Sequence, residues 1–96
     1  MTCGGISMKK MFKITAPEGL HARPAALLVT AVTPFESDVQ LTYKEKSVNL
    51  KSIMGVMAQG VAPGSIIEIS AEGPDAEKLF QTITEVIVSK GIGEEC

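Results

Sequence analysis

The stretch Lys10-Met11-Phe12-Lys13-Ile14-Thr15-Ala16-Pro17-Glu18-Gly19-Leu20-His21-Ala22-Arg23-Pro24-Ala25 carries a strand, a turn and the start of a helix in direct succession. Phe12 and Ile14 share one face of residues 10–15, which reads as a strand. Ala16-Pro17-Glu18-Gly19 is turn chemistry. From Ala22 to about Thr33, the residues Ala25, Leu28, Val29 and Val32 follow the i, i+3, i+4, i+7 spacing of a buried helical stripe. Pro34 ends that helix.

The same reading extends to the rest of the chain. Val39, Leu41 and Tyr43 alternate in a second strand, and Val48 and Leu50 suggest a short third one. Their connection, Lys44-Glu45-Lys46, is charged and lacks the Asn-Gly of the tightest hairpins, so its turn type stays open. Ser52 reads as the N-cap of a short helix from Ile53 to about Gln59, stopped by Gly60 and Pro63-Gly64. Ile67, Ile69 and Ala71 alternate in a fourth strand. Gly73-Pro74-Asp75 opens a last helix whose stripe is Ala76, Leu79, Phe80, Ile83, Val86 and Ile87, closed by Gly91. The order β-α-β-β-α-β-α predicts an α+β open-faced sandwich: a four-stranded antiparallel sheet with three helices on one face. The expected domain spans residues 10–93, after an N-terminal extension (1–9) expected to be disordered and before a C-terminal tail (94–96). Met8 and Met11 both fit as native starts.

Bulk composition narrows the function. A chain of 96 residues makes one domain. A net charge of −2 argues against nucleic acid as a direct partner. No apolar run approaches the roughly 18 residues of a membrane span, and the first residues lack the basic and apolar regions of a signal peptide. A cytoplasmic monomer is expected. Cys3 and Cys96 stand at opposite ends, where free thiols are expected rather than a disulfide framework or metal site. There is no metal-ligand cluster, P-loop or dinucleotide fingerprint, so neither a metal nor a cofactor is expected.

The single histidine, His21, stands where the first helix begins. A neutral imidazole nitrogen is a nucleophile near neutral pH. If His21 is the N-cap, the N–H groups of Ala22 and Arg23 have no intrahelical acceptor and face a phosphate on the ring. The helix dipole adds about 0.3–1 kcal/mol at an exposed site, and Arg23 adds charge-assisted hydrogen bonds. Pattern alone also allows Pro24 as the first helical residue with Arg23 as N-cap, and it allows a surface histidine with no task.

Three blocks break that tie. Gly19-Leu20-His21-Ala22-Arg23-Pro24-Ala25, Val48-Asn49-Leu50-Lys51-Ser52-Ile53-Met54-Gly55-Val56-Met57 and Ile69-Ser70-Ala71-Glu72-Gly73 resemble the HPr family, the histidine-containing phosphocarriers of the bacterial phosphoenolpyruvate:sugar phosphotransferase system. The similarity runs from about Met11 to Gly93. It implies that the fold is the HPr-like open-faced sandwich and that the protein is a phosphoryl carrier, not an enzyme. It also implies that His21 accepts the phosphoryl group on Nδ1 from phospho-enzyme I and passes it to a sugar-specific enzyme IIA. Arg23 is then the phosphate-side arginine, and His21 is favoured as N-cap.

The second block is of the Gram-positive type, in which an ATP-dependent HPr kinase/phosphorylase modifies the serine; here that is Ser52. Phosphoserine adds about −1.5 to −2 charges, favourable at a helix N-terminus. Inhibition is therefore expected at the interface with enzyme I rather than through unfolding. Leu20, Leu27, Lys51, Ile53, Met54 and Met57 are the expected partner surface. The apolar members form a patch around His21, with adaptable Met side chains, and Val56 is the buried member of its helix. An alternative role is that of an HPr-like regulatory protein, a phosphoserine corepressor of a LacI-type catabolite regulator. A nitrogen-regulatory paralogue of the same fold is weighed against by the Ser52 block.

Two departures from the family stand out. Glu18 lies three residues before the histidine, where a small polar residue is commoner; a carboxylate there favours the protonated ring and repels phosphate, unless it points to solvent. Thr30, Thr33 and Pro34 stand where lysines are common, so steering toward an acidic partner is weaker on that side.

Overall fold

The computed structural model describes residues 6–96. Strand β1 (Ile6–Ile14) leads into helix α1 (Ala22–Val32), the hairpin β2 (Asp38–Tyr43) and β3 (Lys46–Asn49), and the short helix α2 (Ile53–Ala58). Strand β4 (Ile66–Gly73), helix α3 (Ala76–Ser89) and a terminal strand β5 (Gly93–Glu95) complete the chain. The sheet order is β3-β2-β4-β1-β5, antiparallel throughout.

One set of alternating positions builds the core. Phe12, Ile14, Val39, Leu41, Ile67, Ile69 and Ala71 are buried on the sheet, and Ala25, Leu28, Val32, Leu79, Phe80, Ile83 and Ile87 meet them from the helices. Each fully buried side chain of this size contributes about 1.5–3 kcal/mol by leaving water. Val56 is the buried residue of α2, as its sequence suggests. Val29 and Val86, expected in the buried stripes, are half-buried at the helix edges but still pack on the core.

Among the described residues the sheet has five strands, not four. β5 occupies residues assigned to the end of the domain and to a tail, and its pairing is Lys13↔Glu94 and Phe12↔Glu95. Nothing in Gly93-Glu94-Glu95 alternates; the pairing rests on main-chain bonds, on the Lys10–Glu95 ion pair (3.2 Å) and on a close approach at Gly93. A β-carbon on Gly93 would run into the Lys13 carbonyl, so only glycine lets the two strands meet.

β1 also starts earlier than expected. Residues 6–9 pair with β4 from Gly73 to Ser70, because β4 is long enough to offer them main-chain partners. Residues 6–9, expected in a disordered extension, are therefore strand; residues 1–5 of that expected extension, with Cys3, lie outside the described residues. Cys96 is a free, exposed thiol.

The β2–β3 connection is a two-residue turn. Tyr43 faces Lys46, and Lys44 and Glu45 both adopt positive φ, 52° and 69°. This is the backbone that Asn-Gly serves best. Here the ammonium of Lys44 lies 5.3 Å from the Tyr43 ring centroid, a cation–π contact that offsets part of the strain.

The link from α1 to β2 is tied to the start of α3 by one carboxylate. Asp75 accepts from the Glu36 N–H (2.9 Å), the Ser37 N–H (3.0 Å) and the Ser37 hydroxyl, while its own N–H donates to Ser37 Oγ. The Ser37 hydroxyl and then the Glu36 N–H hold the Asp75 carboxyl below its ordinary value. A depressed carboxyl contributes stability that is present above the unfolded-state value, about 3.9, and lost as pH falls through the folded-state value. Thermal unfolding followed from pH 6 to pH 2 should therefore show a Tm that falls less steeply in Asp75→Asn than in the parent. Parallel curves would show that this carboxylate adds nothing to the acid response.

Candidate functional site

The site begins at a turn that only glycine can make. Gly19 has φ 68°, and a β-carbon on it would collide with the Val61 carbonyl. Its N–H donates to Ala16 (2.9 Å), and the next N–H, of Leu20, donates to Val61 O (3.1 Å). The incoming chain is thus pinned to the segment after α2 immediately before His21.

His21 is the N-cap of α1. Its backbone is extended (φ −87°, ψ −162°), and its carbonyl accepts the first helical bond from the Ala25 N–H (2.9 Å). The imidazole makes no capping bond and is exposed. The Pro24 alternative for the helix start is set aside, because Ala22 is already helical. Pro24 sits buried in the first turn, where its missing N–H costs no bond. The N–H groups of Ala22 and Arg23 precede the first intrahelical donor and stay available for an anion. Arg23 is exposed, and the one ion pair among the described residues lies elsewhere, at Lys10 and Glu95. A nucleophilic ring, two backbone donors and an unpaired guanidinium can together hold a phosphoryl group.

A shallow depression beside the ring is lined by Glu18, Leu20, His21, Met57, Gly60 and Val61. Met57 is therefore brought to His21, as expected of a partner surface. Ile53 and Met54 are exposed on the same short helix, 38% and 78%, whereas Val56 is buried. Glu18 stands exposed at the rim.

Three members of the expected partner surface are buried or half-buried. Leu20 is 2% exposed and belongs to the core, drawn inward by the bond of its N–H to Val61. Leu27 is half-buried in a groove between α1 and α3, with Arg23, Ala31 and Val86. Lys51 is half-buried, and its ammonium donates to the Phe35 carbonyl (2.6 Å), so it is not a free surface charge. Gly60 and Val61, beside His21, were not anticipated; only the Gly-Val-Ala-Pro-Gly turn composition hinted at a loop there.

Ser52 is the N-cap of α2, and its hydroxyl accepts from the Gly55 N–H (3.2 Å). Ser52 is exposed. Among the described residues no three His, Cys, Asp or Glu side chains are grouped to hold a metal ion, and no helix is long and apolar enough to cross a membrane.

Comparison with known proteins agrees with this geometry. Residues 8–89 match the family model PTS-HPr, the PTS HPr component phosphorylation site. The structure is similar to HPr-C-His from Thermoanaerobacter tengcongensis, with 41% identity, a TM-score of 0.82, and 86% of this chain and 93% of that one covered. It is similar to the histidine-containing phosphocarrier protein of Mycoplasma, with 38% identity, a TM-score of 0.87, and coverage of 90% and 98%. Similarity extends to Crh, the catabolite repression containing protein of Bacillus subtilis, whose crystal structure is a swapped, intertwined dimer: 35% identity, a TM-score of 0.68, and coverage of 83% and 92%.

Two measurements test the local framework. Gly19→Ala combines a left-handed backbone with a collision and should cost about 2–4 kcal/mol in urea unfolding; parental stability would show that the turn does not anchor the site. Ser52→Ala should cost about 0.5–2 kcal/mol, whereas Ser52→Asp keeps an acceptor at the cap and should hold its Tm near the parent's. A sharp drop in the Asp variant would contradict the capping geometry.

Proposed function

We propose, because the chain belongs to the PTS HPr family and its one histidine caps a helix in the open, that it is a phosphocarrier working through His21. Nδ1 of His21 attacks the phosphorus of phospho-enzyme I. The new N–P bond forms as the donor's N–P bond breaks, and the donor's histidine leaves neutral. Reversal of the same step onto the histidine of a sugar-specific enzyme IIA discharges the carrier. No cofactor takes part, and the protein is a substrate of its partners rather than an enzyme.

The chain's own contribution is positioning and electrostatics. The open N–H groups of Ala22 and Arg23 and the Arg23 guanidinium meet the developing charge on the phosphoryl oxygens. The single observation that carries the reading is the conformation of His21, extended and uncapped, with its ring exposed at the start of an eleven-residue helix. Ile53, Met54 and Met57 give partners an adaptable apolar contact beside the ring. A soluble cytoplasmic monomer meeting its partners in turn fits this use.

Ser52 is the proposed regulatory site. An HPr kinase/phosphorylase would transfer the γ-phosphoryl of ATP to Oγ, with ADP leaving and the hydroxyl proton passing to the kinase. The dianion sits at an N-cap that tolerates it and opposes acidic groups of enzyme I. The likeness to the catabolite repression protein Crh favours a second role as phosphoserine corepressor with a LacI-type regulator. The retained His21 makes carriage of phosphate the primary one.

Incubation with phosphoenolpyruvate and enzyme I should place an acid-labile phosphate on the parent and none on His21→Ala. Labelling that survives His21→Ala would refute the site. Acid-stable labelling by the ATP-dependent kinase should vanish in Ser52→Ala.

A further inference from the structure

The peptide unit joining Phe35 to Glu36 is held at both ends by side chains of opposite charge. Its carbonyl accepts from the Lys51 ammonium (2.6 Å), and its N–H donates to the Asp75 carboxylate (2.9 Å). This unit lies just beyond α1, whose last turn contains no basic residue. Phe35 closes that end, since its N–H donates to Val32 O (3.1 Å). The Lys51 ammonium therefore provides, from another part of the chain, the cation that a helix C-terminus favours.

Lys51 is itself held in place. Its N–H donates to Asn49 Oδ1 (2.9 Å), and the N–H of Ser52 donates to Asn49 O (3.0 Å). Its Cα stands about 3.8 Å from that of Ser52 across one peptide. A flexible four-carbon stem lets one ammonium serve either the Phe35 carbonyl or an anion on Ser52. A charged acceptor outcompetes a neutral carbonyl, because charge-assisted hydrogen bonds are roughly twice as strong.

We propose that Lys51 is a positioning residue that couples Ser52 to helix α1: negative charge on Ser52 draws the ammonium from Phe35 and loosens the charge-clamped peptide just beyond the C-terminal end of α1. The coupling builds on the reading of Ser52 as a phosphorylation site. It adds an internal route by which charge at Ser52 alters the helix that carries His21, besides repulsion at the partner surface.

Amide hydrogen exchange by NMR tests it in the parent, Ser52→Asp, Lys51→Met, Lys51→Arg and the Lys51→Met/Ser52→Asp double variant. Lys51→Met should speed exchange at Thr33, Phe35, Glu36 and Ser37 by about tenfold, the effect of losing one partly exposed charged bond. The amides of Ile67 and Ile69, inside the sheet, should keep their parental rates. Lys51→Arg should restore the protection. Ser52→Asp should reproduce part of the acceleration in the parent and add nothing in Lys51→Met. An unchanged loop in Ser52→Asp, or an equal effect of Ser52→Asp with and without Lys51, would overturn the coupling. Because Ser52→Asp needs no kinase, failure of kinase labelling would remove the regulatory reading while this test still decides the coupling.

Discussion

The approach of Gly19 to the Val61 carbonyl is the contact on which the site depends. It demands a left-handed residue with no β-carbon, and it leaves Leu20 to bond Val61 and turn into the core. Once Leu20 is buried, His21 must leave the core on the next residue. The helix then starts at Ala22 with two backbone donors unclaimed. A small rotation at Gly19 would move the ring and both donors together. The geometry of the site is thus set by a backbone packing constraint two residues before His21, while the ring itself is exposed and makes no capping bond.

Much of the fold is legible because burial enforces periodicity. The stripe of α3 and the alternation of β2 and β4 are long, and each residue reports the same face. What escaped is held by main chain or by single contacts. β5 has too few residues to alternate, and its Glu94 and Glu95 look like a solvated tail until Lys13 and Lys10 are placed opposite. The start of β1 depends on how far β4 extends, which no local pattern states. The Lys44–Glu45 turn uses residues that do not favour positive φ, so composition alone left its type open.

The candidate site residues divide along the same line. His21, Arg23 and Ser52 were readable because helix caps are local features, set by neighbours within four residues. Leu20, Leu27 and Lys51, expected on the partner surface, take their surroundings from distant segments: Val61, α3 and Phe35 respectively. An apolar residue beside an active histidine is as ready to anchor the turn as to meet a partner. Only the tertiary contact distinguishes the two.

α1 joins these parts. Its N-terminal end presents His21 with free donors, and just beyond its C-terminal end Lys51, next to Ser52, donates to the Phe35 carbonyl. In the proposed carrier, the backbone donors of the first turn, together with Arg23, hold the phosphoryl group. The most direct measurement is the proton–nitrogen NMR spectrum before and after phosphorylation by phosphoenolpyruvate and enzyme I. The Ala22 and Arg23 amide protons should move furthest downfield, as charge-assisted donors do. Phosphorylation of His21 that leaves both amides in place would contradict it.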